Sequence, residues 1–254
     1  MTLSPLARTR THIAVLAIVL GMLVVLGWHL RVRHLEDVLV RADPDRAVSE
    51  AGLLNFAMDR APALYSRHCA GCHGRDMHGS RPRGTPDLSD SVWLFGLGDL
   101  PDIENTLDYG VRSGHPKSHN ITDMPALGRI GQLSAAELRD VVEYVYAFSH
   151  ADANPDAVRR GRPLFMDKGS CYDCHGQDGT GNVDYGAPDL TGRSGWLYGG
   201  DRRTLFQSVN DGRHGLCPAW ITKLSAAQIR ELAIFLYTTA RRAPHSPTGA
   251  AGAT

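Results

Sequence analysis

The pentapeptide Cys-x-x-Cys-His occurs twice in this chain, as Cys69-Ala-Gly-Cys72-His73 and as Cys171-Tyr-Asp-Cys174-His175. On one helical turn, cysteines at i and i+3 lie on the same face and can reach the two vinyl groups of one porphyrin. The histidine that follows points its imidazole at the iron. This spacing is the attachment signature of c-type haem. It constrains the fold more than any other feature, because each copy must wrap a flat macrocycle tied covalently to a single turn. Cys-x-x-Cys pairs also build zinc sites. A shared zinc would have to join two pairs far apart in the sequence, and each pair has its own haem-pocket context downstream. Two covalently bound haem c groups are therefore expected.

A chain of 254 residues fits two domains of about 100 residues each, with a segment left over. Formal net charge is +0 and the isoelectric point is about 7.2, so no global field points to nucleic acid. The two motifs consume Cys69, Cys72, Cys171 and Cys174. Cys217 is left over, so no structural disulfide can form within the chain once the haems are attached. Aromatic residues make up only 7%, and a buried haem would replace part of the apolar core. Covalent haem attachment takes place outside the cytoplasm, which places both domains in the periplasm.

The first 33 residues read as a membrane element. Ile13 to Trp28 is uncharged and apolar, bounded by Arg8 and Arg10 before it and Arg31 and Arg33 after it. It is short for a span of about 20 residues, and Thr11, His12, His29 and Leu30 extend it. A cleaved signal peptide would end its apolar region in a small-x-small site, and Gly27-Trp28-His29-Leu30 offers none. The expectation is an uncleaved anchor, single-pass in a bacterial inner membrane. The arginine count alone would put the C-terminal side inside. Haem attachment overrides it.

Past residue 55 the chain is written twice. Pro86-Asp87-Leu88 matches Pro188-Asp189-Leu190, and Trp93-Leu94-Phe95-Gly96 matches Trp196-Leu197-Tyr198-Gly199. Gly110-Val111-Arg112 matches Gly212-Arg213-His214. Met124-Pro125-Ala126 matches Cys217-Pro218-Ala219, after an extra loop in the first copy that holds His115 and His119. Each copy predicts a short helix into its haem motif, Phe56 to Ser66 and Asp156 to Asp167. Asn154-Pro155 is a good start signal for the second, although Pro163 inside it could mark the true beginning. Each copy closes with a stronger helix behind a capping box, Ser134-x-x-Glu137 and Ser225-x-x-Gln228, with apolar residues at helical spacing. The expected fold is all-α. The expected order is an anchor (1–33), a linker (34–54), a first haem domain (55–148), a linker (149–156), a second haem domain (157–242) and a disordered tail (243–254).

A haem iron held by histidine on one face needs a partner on the other, or stays open. In electron carriers that partner is commonly methionine. Met124, braced by Pro125, is placed to serve the first haem opposite His73. Met77 lies too near His73 to reach the other face. No methionine follows Met166, so the second haem, on His175, must take Cys217, His214, a more distant histidine, water or nothing. The repeat alignment favours Cys217, with His214 next. Arg81, Arg83, Arg112 and Arg213 are candidates to pair with haem propionates.

The doubled order of haem motif, Pro-Asp-Leu, Trp-Leu-(Phe/Tyr)-Gly and (Met/Cys)-Pro-Ala, behind a membrane anchor, resembles the dihaem cytochrome c subunit (CcoP or FixP) of cbb3-type haem-copper oxidases. The resemblance covers about residues 55–240, and Gly-Arg-His-Gly-Leu-Cys-Pro-Ala-Trp is its most specific segment. It implies an N-terminal transmembrane helix followed by two tandem cytochrome c domains. It also implies a non-catalytic subunit that passes electrons from a soluble or membrane cytochrome to the catalytic subunit, beside a monohaem cytochrome c subunit. Cys217 stands where the family carries methionine. Another dihaem electron-transfer subunit, or a free membrane-bound shuttle, would show similar motifs. A dihaem peroxidase would need an acid/base set that is not evident, and a sensor would need an output domain.

Overall fold

The computed structural model describes residues 5–192 and 196–242; the tail predicted to be disordered lies outside them. Ten helices account for the regular structure among these residues, with only isolated bridges in place of strands. The chain divides into two compact units, Met1–Phe56 and Ala57–Thr254.

In the first unit, α1 runs from Pro5 to Arg41. Its apolar side chains stand exposed on every side, from Ile13 at 64% to Val24 at 71% and Leu30 at 62%. A helix apolar all round needs a non-aqueous surrounding. At about 1.5 Å per residue its uncharged part matches the roughly 30 Å core of a bilayer. The segment His12–Arg41 is long and apolar enough to cross one. Residues 34–54, expected as a linker, are helical instead. Helix α1 continues through Arg41, and α2 (Pro44–Ser49) starts on an Asp43 cap that accepts from the Arg46 amide at 2.9 Å. Helix α3 (Ala51–His68) then leads into the first haem motif. The charged composition that suggested a linker reflects a solvated helical surface.

Within the second unit the two sequence copies share one plan. Helix α4 (Ala70–His73) carries the first motif and α8 (Tyr172–His175) the second. Helices α5 (Leu100–Tyr109) and α9 (Arg202–Asp211) follow their haem loops, each capped by an aspartate, Asp99 and Asp201. Both capping boxes form, at the starts of α6 (Ala135–Tyr146) and α10 (Ala226–Arg242). Helix α7 starts at Pro155 on the Asn154 cap and ends at Pro163. Pro163 therefore does not begin the helix. It introduces one wide turn, Leu164–Lys168, as expected where a proline withdraws a ladder hydrogen bond.

The packing partners of α6 and α10 decide the architecture. Helix α6, from the first copy, packs on α7 and α9 of the second copy. Its Val141, Val142 and Val145 join Phe165, Leu205 and Val209 in one core. Asp140 accepts two bonds from Arg160, at 2.7 and 2.8 Å, and Glu143 two from Arg202, at 2.5 and 3.4 Å. Helix α10, from the second copy, packs on α5 of the first. Its Arg230 pairs with Glu104, and its fully buried Glu231 accepts from Arg60 of α3 at 2.7 Å. Phe235 lies against Tyr65, with centroids 5.8 Å apart. Each copy has handed its last helix to the other.

Candidate haem sites

The two motif turns are built alike. His73 Nδ1 lies 3.0 Å from the Pro86 carbonyl oxygen, and His175 Nδ1 lies 3.1 Å from that of Pro188. A carbonyl only accepts, so each Nδ1 carries the proton and donates it, leaving the Nε2 lone pair for a metal. Burial lowers the pKa of both imidazoles, which keeps them neutral, and the carbonyl bond opposes this only in part. The repeated Pro-Asp-Leu thus has a function at each residue. The proline carbonyl fixes the histidine tautomer. The aspartate accepts from the amide two residues on, 2.7 Å for Asp87 with Ser89 and 2.6 Å for Asp189 with Thr191. The leucine amide ties the loop back, Leu88 to Met77 and Leu190 to Gly179.

The second repeated motif joins the copies. The Phe95 ring sits on the backbone of Gly186, and the Tyr198 ring on that of Gly84. The Phe or Tyr of each Trp-Leu-(Phe/Tyr)-Gly therefore covers the haem loop of the opposite copy. Arg213 stacks over Tyr198 at 3.9 Å, and Arg112 bonds the Gly215 and Thr122 carbonyls and pairs with Asp123.

The distal segments follow the exchanged helices. Val111 and Cys217 exchange two backbone hydrogen bonds of 2.9 Å, and the Trp220 amide reaches the Leu107 carbonyl at 3.0 Å. Trp220 meets His68, the residue before the first motif, edge on at 5.4 Å. Burial pushes the Cys69 thiol up to about 12, and the neighbouring Cys217 and Cys72 sulfurs add to the rise. Cys217 thus belongs to the first haem motif. Met124, by contrast, bridges to Arg213 and packs against the core that holds Phe165, a core against which Cys171, Tyr172 and Leu190 also pack. Its strap continues along the second motif, where Gln132 donates to the Lys168 carbonyl at 2.6 Å and Lys168 donates to Glu137 at 2.5 Å. The order of the sequence pairs Met124 with His73 and Cys217 with His175; in space Cys217 lies near Cys69 of the first motif, and Met124 lies on the core against which Cys171 also packs. His214, the other candidate, is largely exposed and turned toward Asp123 at 3.2 Å. His115 and His119 stack on Tyr109 and Phe95.

Two glycines make the crossing. Gly110 and Gly212 both adopt positive φ, +73° and +72°. A Cβ on Gly110 would lie 2.2 Å from the Cys217 carbonyl oxygen, and one on Gly212 would lie 2.5 Å from that of Met124. Gly110→Ala should therefore cost about 1–3 kcal/mol of local strain and shift the spectrum of the first haem. Gly114→Ala, at φ +83° with nothing within 4 Å, should cost less and leave the spectrum unchanged. Thermal melts and absorption spectra of the two variants check this.

Comparison with known proteins agrees with the motifs. The family described as cytochrome c matches residues 58–148. The family described as cytochrome c oxidase, cbb3-type, subunit III, matches residues 156–236. The chain is 36% identical over 199 residues to the cbb3-type cytochrome c oxidase subunit CcoP of Cereibacter sphaeroides, covering 78% of this chain and 67% of that protein. It is 35% identical over 229 residues to the subunit FixP of Azorhizobium caulinodans, covering 84% and 75%. The chain belongs to the CcoP/FixP family. It is mostly helical, with one membrane-spanning candidate and two cytochrome c domains in sequence order, and a CcoP/FixP chain of this kind holds two covalently bound haem c groups. The residues fit that load. Cys69 and Cys72 lie on one turn, as do Cys171 and Cys174, and each turn is followed by a neutral, oriented imidazole. Cys171, like Cys69, is pushed up by its apolar setting, to about 11.

The sequence did not disclose Trp220, whose side chain lies beside Cys217, or the two crossing glycines beyond their place in the repeat. Nor did it place Arg112 and Arg213. Neither is free to serve a propionate without giving up the partners named above.

Proposed function

We propose that this chain is the membrane-anchored dihaem subunit that passes electrons to the catalytic subunit of a cbb3-type haem-copper oxidase. Its anchor lies in the bacterial inner membrane and its haem domains lie in the periplasm. A soluble or membrane cytochrome is the donor, and a monohaem cytochrome c subunit is a neighbour in the complex. In each site the cysteine pair fixes the haem, and the neutral histidine, with Nδ1–H held by a proline carbonyl, supplies the proximal ligand. Bound haem c would supply one-electron chemistry, and a second protein ligand opposite the histidine would suit electron transfer rather than substrate turnover. The opposite side of each pocket would be supplied crosswise: Met124 would serve the haem of His175, and the segment around Cys217 would serve the haem of His73.

The observation that carries this reading is the pair of oriented histidines inside pockets closed by the opposite copy. Mass spectrometry of the holoprotein should show the apo chain plus two haems, and the protein should stay with membranes through a salt wash. Purification from native membranes should bring a haem-copper catalytic subunit with it, and deletion of the chain should abolish oxygen uptake fed by cytochrome c. A dehydrogenase in place of the oxidase subunit would assign the chain to another periplasmic redox complex.

A further inference from the structure

The two distal positions of this chain differ in kind. Met124 lies in an apolar setting, packed against a core of leucine, valine and aromatic side chains. Cys217 lies in the pocket of the first motif, near Cys69 and Cys72. It is held there from both sides of its backbone, by the double bond to Val111 and by the Trp220 amide on Leu107. The Trp220 side chain also lies beside its sulfur. The corresponding residue after Met124-Pro125-Ala126 is Leu127, which has no donor. A thioether is a weak acceptor and needs none, whereas an anionic sulfur gains from a directed N–H.

We propose that the Cys217 sulfur is the distal ligand of the first haem, so that the two irons of one chain carry different sulfur donors, cysteine on the first and methionine on the second. The assignment rests on the crosswise pockets proposed above. As the iron–sulfur bond forms, the thiol proton leaves to solvent and no electron is transferred. An anionic sulfur donates more strongly to iron than a thioether does and favours the ferric state. The first haem then has the lower potential, and an electron entering the chain comes to rest on the second. Trp220 is a positioning residue. Its N–H withdraws charge from the sulfur and limits the drop in potential.

The test uses the full-length dihaem protein in detergent, with electron paramagnetic resonance of the oxidised form and a redox titration that resolves both haems. A thiolate-type low-spin signal is expected beside one His/Met signal. It should vanish in Cys217→Ser and Cys217→Met and persist in Met124→Ala and His119→Ala. Cys217→Met fits a methionine where the other copy has one, and it guards against a simple folding defect. It should keep both haems and raise the lower potential toward the higher. Trp220→Phe should lower the potential of the first haem alone. A signal unchanged by Cys217→Ser overturns the proposal. If the thiolate signal survives Cys69→Ala with Cys72→Ala but is lost with Cys171→Ala and Cys174→Ala, cysteine ligation stands and the crosswise assignment fails.

Discussion

Removing the second haem, through Cys171→Ala with Cys174→Ala, should abolish the near-infrared sulfur-to-iron band of a His/Met haem although Met124 is untouched. Removing the first, through Cys69→Ala with Cys72→Ala, should leave that band in place. The expected effect is complete loss against full retention. The reason is positional. Met124 packs against the core that holds Phe165, as Cys171 and Tyr172 do, and its backbone pairs with Arg213 of the second copy. It follows the first motif in sequence and, on the proposed crosswise assignment, would serve the second. Two independent cytochrome folds in tandem would give the opposite result, since Met124 would then close the pocket of its own motif. Visible and near-infrared spectra of the two double variants, normalised to haem content, decide the matter.

The second large effect concerns integrity. A protease site inserted between Ser149 and Ala153, in the connection from α6 to α7, should be cut without separating the halves. The nicked protein should elute as one species under native conditions and give two haem-staining bands in a denaturing gel. Helix α6 lies among α7 and α9, and α10 lies against α5 and α3, so each fragment holds a helix of the other. The tie includes the Arg60–Glu231 pair, in which the carboxylate is fully buried. Losing one partner of a buried charge pair typically costs about 3–5 kcal/mol. Separate elution of two monohaem fragments would show that the copies fold independently.

Much of this structure was legible in the residues. The haem motifs fix two attachment turns, the capping boxes mark α6 and α10, and the uncharged run marks α1. The doubled motifs fix which residues are equivalent. Equivalence does not say which pocket a residue enters, because a copy that keeps its last helix and one that gives it away have the same local pattern. The short connection from Tyr146 to Pro155 was the available signal, since consecutive helices joined by few residues tend to pack as neighbours. Here that makes α6 a neighbour of α7. The helical character of residues 34–54 was hidden by charge, which marks solvent exposure rather than the absence of a helix. The wide turn after Pro163 depends on where the freed carbonyls find partners, which periodicity alone does not specify.

The exchanged helices make this chain the equivalent of a two-fold dimer whose subunits are joined by a single connection. In a symmetric dimer any change at the distal position would strike both irons at once, and the two centres would stay identical. Joined in one polypeptide, the two positions are separate codons, and each can vary while the other is held. Met124 and Cys217 show such a divergence. The sulfur donors differ while the glycines, prolines and aromatic caps around them are kept in both copies.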